Sequence, residues 1–200
     1  MFFQLAFDME RIDEAIKNGT NTIYAQDSNL KEIQYDGIKK GFFRNIVFSN
    51  KTIHSWPEVL FYYSSNASNL ESEYLLNIVQ WPIVHKRVME TFENLGISGI
   101  EYYPIKLIDV VTKHTNENYM MMYITNYIDA YDMDKTSYKY NEKYDSYSFN
   151  PKQIYLNTQV CEKYDIFRCK KHPSIIYVSQ RIKDIIETNK WIGFTFYQQS

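Results

Sequence analysis

A twenty-residue stretch near the middle of the chain recurs at its end. Ile78–Ile97 lies over Ile175–Phe194 without a gap, at a constant offset of 97 residues (175 − 78). Ile78/Ile175, Lys86/Lys183, Glu90/Glu187, Thr91/Thr188 and Gly96/Gly193 are identical, and Val88-Met89 falls on Ile185-Ile186. Each copy reads as a short apolar strand, a helix start, an amphipathic helix, a glycine stop and a second strand. The expectation is two strand–helix–strand units whose helices bury Val88, Met89, Ile185 and Ile186 in one core. Pro82 is placed in the first turn of the first helix, where a missing N–H leaves nothing unpaired. Ser179 is placed as N-cap of the second. Neither copy carries a nucleophile, a phosphate cradle or a metal cage, so the repeats specify a scaffold rather than a chemistry.

Two hundred residues suit a single domain spanning 1–200, with a possible N-terminal subdomain over 1–70 that closes at the polar loop Ser64–Asn69. The formal net charge is −2, and Lys and Arg are scattered, which argues against a nucleic-acid partner. No apolar run approaches the roughly 18 residues of a membrane helix. The start, Met1 to Asp8, lacks a basic leader and reads as a first strand. Two cysteines, Cys161 and Cys169, suit a reducing compartment, and their spacing neither demands nor excludes pairing. A cytoplasmic location is expected.

Phe2 to Phe7 alternates as a strand, and Asp8 caps a helix with Met9, Ile12 and Ile16 on one stripe and Asn18-Gly19 as its stop. Residues 33–48 read as a hairpin or two short strands, and 59–63 as a further strand. Residues 100–111 form a long strand that Pro104 assigns to a sheet edge or a bulge. Tyr119 to Ile128 reads as one strand, with Met120, Met122, Ile124 and Ile128 along an apolar face. Residues 137–150, tyrosine-rich and aperiodic, read as a long loop. The expected fold is α+β: a mainly antiparallel sheet covered by about three helices.

Three constellations carry possible chemistry. Asp132 and Asp134, with Asp129 upstream, are oxygen ligands of the kind hard cations take, which would make the chain a metal-dependent, transferase-like enzyme. No phosphate loop accompanies them, and a structural or interaction role is favoured. Cys161, Cys169 and His172 lack the tight spacing of a closed zinc site. No metal and no cofactor are therefore expected. His85 reads as a half-exposed helix histidine, and Arg168 as a strand-end residue or half of a buried salt bridge; a phosphate role lacks a second basic group. The segment Tyr127-Ile-Asp-Ala-Tyr-Asp-Met-Asp134 offers Tyr127, Asp129, Tyr131, Asp132 and Asp134 as a contact surface, with tyrosines for area and carboxylates to steer a basic partner.

The strand and helix from Ile78, Gly99-Ile-Glu-Tyr-Tyr-Pro-Ile105, Tyr123-x-x-Asn126, Asp129-Ala-Tyr-Asp132 with Ser137, Ile166-Phe-Arg168 and Ile176-Tyr-Val-Ser179 form a series. With the helix ending at Ile192-Gly-Phe194, it resembles the immunity protein 11 family of bacterial polymorphic-toxin systems. The resemblance covers roughly 75–197, and the first 75 residues match by length and strand order. It implies a protein that binds a cognate toxin, encoded nearby, and blocks it without catalysis. Pro82 stands where such sequences often have a serine or threonine before the first helix.

Overall fold

The computed structural model describes residues 1–10, 14, 21–22, 24–65 and 69–199. Most of the helix expected after Asp8 lies outside these residues. In chain order the strands are β1 (Phe2–Phe7), β2 (Asn21–Thr22), β3 (Asp27–Ser28), β4 (Leu60–Tyr63), β5 (Asn69–Leu70), β6 (Tyr74–Leu75) and β7 (Ile83–His85). Helix α1 (Lys86–Asn94) leads to β8 (Ile100–Asp109), β9 (Thr115–Ile124), β10 (Tyr127–Ile128), β11 (Tyr138–Asn141) and β12 (Ser146–Phe149). The chain closes with α2 (Thr158–Cys161), β13 (Ile166–Cys169), β14 (His172–Ser179), α3 (Gln180–Thr188) and β15 (Phe194–Gln199).

The fold is α+β and dominated by antiparallel pairing, as expected, but it has two main sheets instead of one. Their orders are β3-β4-β8-β9-β7-β6 and β10-β13-β14-β1-β15, and only β4·β8 and β10·β13 run parallel within them. Tyr119–Ile128 is two strands, one in each sheet. β9 ends at Ile124, and Asn126 turns the chain so that β10 joins β13. The Asn126 amide donates to Ile166 O at 2.9 Å. Thr125 N–H donates to Gly99 O at 2.9 Å, and Gly99 sits at φ +83° where a Cβ would strike Asn126.

From Tyr119 onward β9 is covered on both faces. Tyr119, Met121 and Tyr123 join Phe43, Phe61 and Trp81 in a core that the segment 25–59 covers. Met122 and Ile124 face a second core with both main helices and β1. The tyrosine hydroxyls there end on backbone carbonyls, Tyr119 on Ser72 O at 2.9 Å and Tyr123 on Ser49 O at 2.5 Å. Buried polar tips need such partners.

The repeat is real, but its register is 94, not 97. His85 and Ser179 are the N-caps: Nδ1 of His85 accepts from Arg87 N–H and Oγ of Ser179 from Ile182 N–H. Val88 then matches Ile182, and Phe92 matches Ile186, all in the shared core. Both helices end alike. Ile97 N–H bonds Phe92 O and Trp191 N–H bonds Ile186 O, while Gly96 and Lys190 take left-handed φ of 69° and 55°. Gly99, not Gly96, is the counterpart of Gly193. A slip of three residues keeps a helix stripe nearly in place, so the ungapped match survives the wrong register. Consequently Pro82 is not in the helix, Ile78 is exposed in a turn rather than in a strand, and Met89 is half-buried outside the shared core.

Two further expectations change, at 33–48 and 138–149, and of the two alternatives at Pro104 the bulge is the one found. Residues 33–48 hold a 3-10 helix, Phe43–Phe48, whose buried Phe43, Ile46 and Val47 follow helical spacing. β8 is an interior strand. Its Pro104 precedes the first β4 pair, Leu60↔Lys106, so the missing N–H breaks no bond on that side, and a bulge follows at Ile105/Leu107. Residues 138–149 form a hairpin rather than a loop.

β1 lies between β14 and β15, and we infer that residues 1–70 and the remainder fold as one unit. Ile186→Ala should cost about 2–5 kcal/mol, against about 1 kcal/mol for Met89→Ala. Urea denaturation followed by circular dichroism checks both values, and equal losses would contradict the register of 94.

Candidate functional site

The segment expected to form a contact surface divides by burial. Tyr127 is half-buried, and its hydroxyl has no partner. Tyr131 is only 5% exposed, its hydroxyl 2.8 Å from that of Tyr177 and 3.0 Å from His172 Nδ1. Asp129 is exposed and pairs with Lys170 and Lys171 at 3.0 and 3.2 Å. Hydrogen bonds from those lysines hold its carboxyl below the usual range. Asp132 meets Lys135 at 2.8 Å and accepts Asp134 N–H at 3.2 Å, so it caps a turn. Asp134 is exposed. Among the described residues no three His, Cys, Asp or Glu converge. Cys161 and Cys169 are free and buried beside Tyr131 and Tyr177. Burial pushes the Cys161 thiol up to about 12. His172 leans on Phe149, ring centroids 5.3 Å apart, and burial lowers its pKa.

Next to this segment stands the hairpin β11–β12, which sequence reasoning missed. Its signal was present: Tyr138/Tyr140 and Tyr147/Phe149 are each two apart, the spacing of one strand face. The rings tile across the strands, Tyr140–Tyr147 at 4.9 Å, Tyr138–Tyr147 at 5.5 Å and Tyr147–Phe149 at 5.8 Å. Phe149 anchors the ladder on Tyr131 at 4.9 Å. A two-stranded ribbon is marginal alone, so this aromatic ladder and its anchor hold it. Tyr138, Tyr140 and Tyr144 remain exposed, Tyr144 by 68%.

A second feature lies on the other side of the same sheet. Phe167 and Cys169 of β13 face the Tyr131 cluster, so Arg168 between them faces the opposite way. Arg168 is 1% exposed. One guanidinium nitrogen donates to Pro173 O, Nε has no partner, and the group lies 5.5 Å over the Phe48 ring. Among the described residues no carboxylate pairs with it. The expected buried salt bridge is therefore absent. Burial lowers its pKa, with only Tyr127, Tyr74 and Tyr123 nearby to oppose that. A desolvated, uncompensated cation costs several kcal/mol. Arg168 lines a cleft of about 470 Å³ between β1, β14 and residues 74–80.

Buried tyrosines set an alkaline limit on the fold. Burial raises Tyr102, Tyr119 and Tyr177 above the ordinary 10.0, and Tyr127 to about 12. The unfolded chain releases these protons first, so stability is intact below pH 10 and falls as pH rises through 12. Absorbance titration of tyrosine alongside circular dichroism should show ionisation of this set coinciding with unfolding. Ionisation of every tyrosine near pH 10 with the fold intact would contradict it.

The model of the immunity protein family (Imm11) matches residues 2–200, extending the resemblance over the N-terminal strands. No curated protein matches the chain. Among the described residues no helix is long and apolar enough to cross a membrane.

Proposed function

The chain belongs to the immunity protein family Imm11, and on that premise we propose that it binds a cognate toxin in the cytoplasm of the producing cell and neutralises it by occlusion, without catalysing a reaction. The observation that carries the contact surface is the tyrosine hairpin. Three exposed rings on a ribbon anchored through Phe149 give a rigid, amphipathic contact area at low entropic cost. Asp134, exposed on the neighbouring segment, favours a basic partner, while Asp129 is occupied by Lys170 and Lys171. Tyr131 acts from beneath by supporting Phe149, Asp132 shapes the turn, and Tyr127 packs at the sheet edge. The enzyme alternative, with Asp132 and Asp134 holding a divalent cation, has Asp132 engaged by Lys135 and by the Asp134 N–H. Titration calorimetry against the toxin domain encoded beside this gene, with growth on co-expression, tests the proposal. One-to-one binding with protection supports it, and absence of binding by the wild-type protein overturns it.

A further inference from the structure

We propose that the cleft floored by Arg168 is a binding site for a monocarboxylate carried on an apolar or aromatic body. Its volume, about 470 Å³, falls in the range of small-ligand pockets. Arg168 is the charged residue among the lining side chains, buried to 1% exposure, with Nε unpartnered and no carboxylate within reach among the described residues. A guanidinium presents a planar fork that matches a carboxylate edge to edge. A single carboxylate also matches its charge. A phosphate dianion would leave one negative charge buried without a second basic group, so the same geometry disfavours it.

The walls specify the rest of the ligand. Phe7 and Tyr74 stack at 4.4 Å on one side, with Leu5 and Ile176 from the adjacent strands. At the mouth stand Met9, Tyr24, Ile78 and Tyr197, four large hydrophobic side chains that are exposed to solvent. An apolar or aromatic part of the ligand therefore gains contact at these side chains, while Gln4, Asn77, Gln80 and Ser174 line the cleft between them. Gln4 supplies an amide for a polar substituent. This site lies across the sheet from the tyrosine hairpin and does not depend on the toxin-binding proposal.

The probes are N-acetyltyrosine, its uncharged amide N-acetyltyrosinamide, and inorganic phosphate, titrated into nitrogen-15-labelled full-length protein. The acid should shift the Arg168 Nε–H resonance and bind about tenfold or more tighter than the amide or phosphate, the margin expected of a charge-assisted bond. Arg168→Met should bind acid and amide alike. Arg168→Lys, which keeps the charge but not the fork, should lose about tenfold for the acid with an unchanged backbone spectrum. A pentapeptide ending in a free tyrosine separates the sources: competition with N-acetyltyrosine identifies a chain terminus, and its absence identifies a free small acid, both within the proposal. Equal affinity for acid and amide, tighter binding of phosphate, no binding at millimolar acid, or an acid preference surviving in Arg168→Met overturns it. Should the methionine variant fail to fold, the acid–amide pair and the lysine variant decide the question.

Discussion

Replacing Arg168 by methionine should stabilise the protein, by about 1–3 kcal/mol, even though it removes one of the most deeply buried side chains in the molecule. A methionine fills similar volume without desolvating a charge. Against that gain stands the lost donor to Pro173 O, which leaves one carbonyl poorer by a hydrogen bond. The desolvated charge is the larger effect because no anion compensates it. Urea denaturation at neutral pH gives the answer, and a loss of about 3 kcal/mol or more, the scale of a broken buried pair, would mean that Arg168 is held by interactions stronger than those described. A gain in stability would be the behaviour expected of a cation that lacks an anion in the folded chain, as the carboxylate-binding proposal requires.

Gly193→Ala should be far more damaging than its size suggests. At φ +95° an added Cβ would lie 2.3 Å from the backbone carbonyl of Tyr74 and 2.1 Å from Ser72 Oγ. The hydroxyl can rotate aside, but the carbonyl cannot, because β6 is tied there: Tyr74 N–H donates to Ile192 O at 3.2 Å. Strain at a left-handed position and displacement of a packed strand together should cost about 3 kcal/mol or more. Gly41 is the control. Its φ is +82° and a Cβ added there would meet nothing within 4 Å, so alanine should cost about 1 kcal/mol. Equal losses at the two positions would show that conformation alone, and not the approach of the two sheets at Gly193, sets the penalty.

Local chemistry made parts of this fold legible. β1 alternates, Ser179 caps α3, and Val88, Ile182 and Ile186 recur with helical spacing; each signal lies within a few residues of the element it announces. What escaped depends on distant partners. Nothing within Tyr119–Ile128 says that Asn126 will bond Ile166 and hand the chain to a second sheet. The register of 94 depends on caps, and His85 as a cap is recognisable only from its bond to Arg87 N–H. Tyr131 looked available for contact and is buried under Phe149. The tyrosines of the hairpin looked irregular, and three of them, Tyr138, Tyr140 and Tyr144, are exposed. The candidate site was legible in its neighbourhood only. Asp129 and Asp134 lie at the surface, Tyr131 is the buried anchor under Phe149, and the isolation of Arg168 is visible only once the chain has closed around it.

The most direct test of the central claim is the affinity of the toxin domain for a variant with Tyr138, Tyr140 and Tyr144 all changed to alanine. The three rings lie outside the three apolar cores, so the rest of the fold should persist. Tyr138 and Tyr140 belong to the ring ladder, however, and their loss should cost about 1–3 kcal/mol within the ribbon. If the hairpin is the contact surface, affinity should fall about 100-fold or more, as loss of clustered aromatic anchors does, and co-expressed cells should lose protection. A variant that folds like the wild type, binds the toxin with unchanged affinity and still protects would contradict the account.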